Sequence, residues 1–220
     1  MTPLDVRLVA ILDPERSGGH DLVALARRVA EGGATLAQLR DKRGETRAMV
    51  AAARAIKAAL IPFNVPFVVN DRVDVALAAQ ADGVHLGPED MAIEDARRLL
   101  GPRAVIGLSV KTAAAAATAP VDLMDYAGIG GIYATSSKEQ KSAPIGTEGF
   151  AEIADVLRSR APPLPLCGIA GIDIDNAGAV VAAGADGIAV ISALSLASDP
   201  TAAARSLRAV VDAMLAKRGT

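Results

Sequence analysis

At 220 residues, with 51% hydrophobic and 22% charged, the chain has the composition of a globular protein that buries a large core, which excludes disorder. A formal net charge of -2 leaves no general electrostatic footprint for nucleic acid or an anionic membrane surface, so its basic residues are expected to have local jobs. The single cysteine, Cys167, excludes a disulfide framework and a cysteine metal cluster and leads us to expect a reducing cytoplasm; no apolar stretch approaches the roughly 18 residues of a membrane span.

Short β-like runs alternate with alanine-rich amphipathic ones along the chain. A strand at 7–12 leads to a helix at 21–31, and a strand at 36–39 to a helix at 46–60. The second strand runs into Gln38-Leu39-Arg40-Asp41-Lys42. Arg40 is suited to fork two phosphate oxygens, Lys42 to supply a compact charge, and Gln38 to donate and accept toward a polar ring. A strand at 66–69 ends in Asn70-Asp71-Arg72 ahead of a helix at 73–79. The next, at 83–86, turns through Gly87-Pro88-Glu89 to Asp90 ahead of a helix at 93–100. Neighbouring strand ends thus bring two carboxylates toward one ion, and magnesium takes one or two carboxylates, completing its octahedron with water and substrate phosphate. Singly, Asp71 and Asp90 read as helix caps; together they favour the metal.

A strand at 105–108 is followed by Ser109 and a helix at 111–118, and a strand at 126–129 by the least regular segment of the chain. That segment, 134–147, holds three lysine or glutamate charges and Pro144, and is expected to be a mobile active-site loop. Its Thr135-Ser136-Ser137-Lys138 sets three hydroxyls beside a cation, a composition suited to a second anionic group. A helix at 148–158, a strand at 164–169, a helix at 174–183, a strand at 187–191 and a helix at 201–217 complete the order. Gly168-Ile169-Ala170-Gly171 and Ile191-Ser192 end the last two strands, where many (β/α)8 enzymes bind phosphate through loop amides and a helix N-terminus.

Eight strand–helix units predict an α/β chain folded as a single-domain (β/α)8 TIM barrel over residues 1–220. Two features favour closure over an open sheet. Residues 31–34, 79–83 and 182–187 each end a helix with glycine or a small polar residue just before a strand, as short turns at the bottom of a barrel do. The polar clusters also follow many different strands, whereas an open sheet concentrates its site at one crevice. His85 lies inside a strand and reads as structural, His20 as a turn residue and Cys167 as core.

These blocks, in order, resemble the thiamine-phosphate synthase family: Gln38-Leu39-Arg40-Asp41-Lys42, Val69-Asn70-Asp71-Arg72, Gly83 to Asp90, Ile106-Gly107-Leu108-Ser109, Thr135-Ser136-Ser137-Lys138, and Ala185-Asp186-Gly187 to Ser192. The resemblance implies a (β/α)8 enzyme of thiamine biosynthesis. It would join 4-amino-2-methyl-5-(hydroxymethyl)pyrimidine diphosphate to 4-methyl-5-(2-phosphoethyl)thiazole, releasing thiamine phosphate and pyrophosphate. Carried over, Asp71 and Asp90 are the expected Mg2+ ligands. Gln38, Leu39, Arg40, Asp41, Lys42, Asn70, Ser109 and Lys138 form the expected pyrimidine-diphosphate side, with Arg40, Lys42, Ser109 and Lys138 serving the chemistry. Thr135, Ser136, Ser137, Gly171, Ile191 and Ser192 form the expected thiazole-phosphate side. Ala170 stands where the family commonly has glycine, Gly131 where it has proline, and Ser137 where it has threonine. The implied partners are these small molecules, with neither nucleic acid nor membrane. A thiazole tautomerase relative would not need the two carboxylates and the cationic clamp, and a phosphate-ligand sensor would bind without turnover.

Overall fold

A computed structural model describes residues 4–137, 142–161 and 163–218. Eight parallel strands, β1 (Leu8–Leu12), β2 (Leu36–Leu39), β3 (Phe67–Asn70), β4 (Gly83–Leu86), β5 (Val105–Val110), β6 (Tyr126–Ile129), β7 (Leu166–Ile169) and β8 (Gly187–Val190), close into a barrel in sequence order. The helices are α1 (Leu22–Glu31), α2 (Thr46–Leu60), α3 (Val73–Ala79), α4 (Ile93–Leu100), α5 (Ala113–Thr118), α6 (Gly146–Arg160), α7 (Ala177–Ala182), the short α8 (Ser192–Ser195) and α9 (Pro200–Arg218). The chain is therefore the (β/α)8 barrel that its sequence implies. Helix α6 starts two residues before the expected 148, so the end of the irregular segment 134–147 is already helical.

The strands are short runs buried on both faces, as parallel strands covered by helices must be. One face of each strand packs against the helices in the main core, with Leu8, Ala37, Phe67, Val84, Ile106 and Ala127 among its residues. The other face fills the barrel interior with Val9, Ile11, Leu36, Val68, Tyr126, Cys167 and Ala189. Asp21 caps α1 by accepting the Ala24 N–H at 2.9 Å, and Thr112 caps α5 by accepting that of Ala115 at 3.1 Å.

The bottom of the barrel repeats one device in every second unit. The residue just before an even-numbered strand accepts, through its side chain, the N–H of a residue at the start of the preceding strand. Thr35 takes Leu8 at 3.1 Å, Asp82 takes Phe67 at 2.8 Å, Asp125 takes Ile106 at 2.8 Å and Asp186 takes Leu166 at 3.0 Å. A cation from the helix two units earlier ties down each aspartate: Lys57 of α2 pairs with Asp82 at 3.1 Å, Arg97 of α4 with Asp125 at 2.8 Å, and Arg158 of α6 with Asp186 at 3.2 Å. At the fourth position Arg208 of α9 donates instead to the Gly33 carbonyl at 3.0 Å. The Ala-Asp-Gly repeat follows from this geometry. Its aspartate clamps the register, and a Cβ on its glycine would lie 1.7 Å from the Val105 carbonyl oxygen at Gly83, or 1.8 Å from that of Val6 at Gly187. Setting the register clamps at this end leaves the opposite end free for chemistry.

Candidate active site

A cavity of about 570 Å³, part of it open to solvent, occupies the C-terminal mouth of the barrel. Strand ends from around the ring line it: Gln38 and Arg40 from β2, Asn70 from β3, His85 from β4, Ser109 from β5, Thr135 and Ser137 after β6, Gly171 after β7, and Ile191 and Ser192 after β8. Aliphatic side chains, chiefly Ile11, Ile169, Ile172 and Val190, supply the walls. No phenylalanine, tyrosine or tryptophan is among the described residues that line the cavity.

Asp71 and Asp90 gather at the rim beside this cavity. Lys42 is ion-paired to Asp71, and Asp90 lies within hydrogen-bond reach of the same carboxyl. Burial pushes the Asp71 carboxyl above the usual carboxylate range; Asp90 pushes it the same way, while Lys42 pulls it back. The helix-cap reading does not apply to either residue. Arg72 precedes α3 and Ala92 precedes α4 at the cap positions, whereas Asp71 takes a left-handed φ of 64° and Asp90 accepts the Gly87 N–H at 2.7 Å. Two facing carboxylates, one of them half-buried, form the donor set that a divalent cation with a phosphate-bearing ligand completes. They could hold such an ion.

Arg40 is held by a residue that the strand-end pattern of the sequence did not bring forward. Asp13, 2% exposed, forms an ion pair with the Arg40 guanidinium and also accepts the Glu15 N–H at 2.9 Å. It directly follows β1, the same place that the other site residues occupy on their strands. Applying the strand-end rule to the first strand would have found it.

Among the other expected residues, Leu39 is buried in the core on the helix side of β2. Asp41 is folded back on its own turn, accepting the N–H of Arg43 at 3.0 Å and of Gly44 at 2.7 Å. Ser136 is exposed, and Ser137 is buried with its N–H bonded to Thr135 Oγ1 at 3.1 Å. Lys138, together with part of the expected mobile loop, lies outside the described residues. Ala170 takes φ 81°, a left-handed conformation that glycine adopts without strain. The adjoining Gly171 is also left-handed, at φ 67°, and a Cβ there would lie 2.5 Å from the Ala134 carbonyl oxygen. His85 is buried between Tyr126 and Ser109, with 2.9 Å hydrogen bonds to both, as expected of a structural histidine. The Cys167 thiol is enclosed in the barrel, and burial raises its pKa to about 12.

Comparison with known proteins gives this arrangement a family. The thiamine monophosphate synthase family matches residues 8–194. A thiamine-phosphate synthase of Agrobacterium fabrum is 48% identical over 99% of both chains, and one of Moorella thermoacetica is 45% identical over 93% of this chain and 95% of its own. The solved thiamine phosphate pyrophosphorylase of Pyrococcus furiosus superposes with a TM-score of 0.83 at 38% identity, covering 96% of this chain and 98% of its own. With a full-length fold match and near-complete sequence coverage, the chain belongs to the thiamine-phosphate synthase family.

Proposed function

We propose that the chain is a thiamine-phosphate synthase acting in thiamine biosynthesis. It joins 4-amino-2-methyl-5-(hydroxymethyl)pyrimidine diphosphate to 4-methyl-5-(2-phosphoethyl)thiazole and releases pyrophosphate. Beyond family membership, the observation that supports this reading is the meeting of Asp71, Asp90 and Lys42 at the rim of a cavity lined by polar groups from six strand ends. An isomerase working on one thiazole phosphate has no use for this charge cluster.

In this reading Asp71 and Asp90 hold Mg2+, which when bound supplies positive charge to the diphosphate. Arg40, fixed by Asp13, and Lys42 add cations on the same side, and Lys138 is assigned there as well. Gln38, Asn70 and Ser109 orient the pyrimidine. Thr135, Ser136, Ser137, Gly171, Ile191 and Ser192 take the thiazole phosphate through hydroxyls and backbone amides. The bond between the pyrimidine methylene and its oxygen breaks first, with the electron-rich aminopyrimidine supporting the positive methylene and the electron pair leaving on pyrophosphate. The thiazole nitrogen then closes the new carbon–nitrogen bond. No protein nucleophile is needed, and the enclosed, protonated Cys167 is unsuited to be one. Leu39 and Asp41 serve the site indirectly, as core and as turn.

The test is to incubate purified protein with both substrates, with and without magnesium, and to measure thiamine phosphate and pyrophosphate together. Equimolar, magnesium-dependent formation of both is expected. Isomerisation of the thiazole phosphate without coupling would replace the reading with a tautomerase, and binding without conversion would replace it with a sensor.

A further inference from the structure

Below the cavity, strand register sets Asn70, His85, Gly107 and Tyr126 side by side across β3 to β6. Gly107 separates the two rings and leaves their space empty: a Cβ there would lie 2.2 Å from Tyr126 Cζ and 2.6 Å from His85 Nδ1. Rings on strands that are not neighbours therefore meet, with centroids 5.4 Å apart. Tyr126 Oη lies 2.9 Å from His85 Nδ1, and His85 Nε2 lies 2.9 Å from Ser109 Oγ. Tyr126 is 1% exposed and His85 6%, so water does not compete for these bonds. The result is one chain of side chains, Tyr126–His85–Ser109, that runs from the barrel interior to the cavity.

The direction of this chain follows from its members. Burial keeps the Tyr126 phenol protonated well above the ordinary range. Its O–H is a buried donor, costly to leave unmade, and the side-chain hydrogen bond it makes among the described residues is the one to His85. The phenol proton then points to His85 Nδ1. A neutral imidazole that accepts at Nδ1 carries its proton on Nε2, and that N–H donates to Ser109 Oγ. Ser109 is left with its own hydroxyl proton to offer.

We infer that Tyr126 and His85 are positioning residues that set Ser109 as a fixed donor on the cavity floor. Resting on the proposed function, the inference gives Ser109 a definite role as donor. It meets an acceptor atom of the substrate, a ring nitrogen or a diphosphate oxygen, and does not accept from an amino group. A serine free to rotate would sample both roles and orient neither substrate.

The chain has two histidines, so long-range 1H–15N NMR of the imidazoles reads His85 directly, with His20→Gln as the assignment control. The unmodified protein should show His85 as the Nε2–H tautomer, and Tyr126→Phe should lose that preference. In kinetics, Tyr126→Phe should lower kcat/KM about tenfold, the effect of one well-oriented hydrogen bond. It should lower it no more than about twofold further in the Ser109→Ala background, because both changes cut one chain. An Nδ1–H tautomer in the unmodified protein, or fully additive kinetic losses, would overturn the inference. The tautomer is read without turnover, so a failed coupling reaction would remove the proposed function and leave this result standing. Thermal unfolding of each variant separates misfolding from a lost polarity.

Discussion

Asp13→Asn probes a contact on which Arg40 depends. The carboxylate is 2% exposed and has two partners, the Arg40 guanidinium and the Glu15 N–H at 2.9 Å. Asparagine keeps an acceptor for the N–H and removes the charge. Breaking a buried ion pair from one side costs about 3–5 kcal/mol when neither partner reaches water. The Arg40 side chain is 18% exposed and recovers part of its hydration, which lowers the expected loss to about 2 kcal/mol. For a domain of this size that corresponds to a fall in Tm of about 4–8 °C. Released from its tether, the guanidinium should also serve the diphosphate less well, with kcat/KM about tenfold lower, most of it in KM for the pyrimidine diphosphate. Calorimetry and steady-state kinetics on the same preparations test both parts. Asp13→Asn/Arg40→Met should recover at least half of the lost stability, since no unpaired charge remains, but none of the activity. An unchanged Tm and unchanged kinetics in Asp13→Asn would refute the reasoning, because Arg40 would then be held by something else.

Asp71 should separate stability from function. Its carboxyl is raised, so without metal the folded state holds the proton to higher pH than the unfolded state does, and stability declines as pH climbs through that raised value. Asp71→Asn, neutral throughout, should raise the metal-free Tm at neutral pH and flatten that decline in pH-resolved melts, while magnesium-dependent turnover drops at least about a hundredfold. Ala170→Gly should raise Tm by about 2–4 °C, because a left-handed alanine costs on the order of 1 kcal/mol more than glycine there; calorimetry reads it directly. Cys167, enclosed and with its thiol pKa raised to about 12, should resist aromatic disulfide reagents in native buffer and react promptly in denaturant. Fast native labelling would show that the barrel interior opens.

The barrel was legible because each of its eight units repeats a strand period, a helix period and a turn, and errors in single boundaries leave that count intact. Helices α2, α3 and α4 fall at the residues expected, since apolar positions on one face set their limits. Boundaries moved where a backbone hydrogen bond, with no pattern in side-chain type, starts or ends an element. Helix α6 begins early because the Gly146 N–H bonds to Ile132 and the Ile145 N–H to Gly131, contacts across the barrel mouth. Rim residues of the site were legible for the same reason as the barrel: they follow strands. Asp41 shows the limit of that rule, since the strand end that supplies Gln38 and Arg40 also needs a turn, and the carboxylate nearest to it makes that turn.

What the sequence could not show is the polar layer under the site. His85 and Tyr126 lie 41 residues apart, and each looks like a single polar residue in an apolar strand. Only the register, with Gly107 between them, makes them partners. The same holds for Asp13 and Arg40, 27 residues apart on neighbouring strands. In both cases a visible cavity residue is aimed by a hidden one on another strand. A barrel suits this division of labour because alternate residues of each strand face its interior, so a residue at the mouth always has interior neighbours on the adjacent strands. Specificity in this chain would then change by substitution at Tyr126, His85 or Asp13 without any change in the residues that touch substrate.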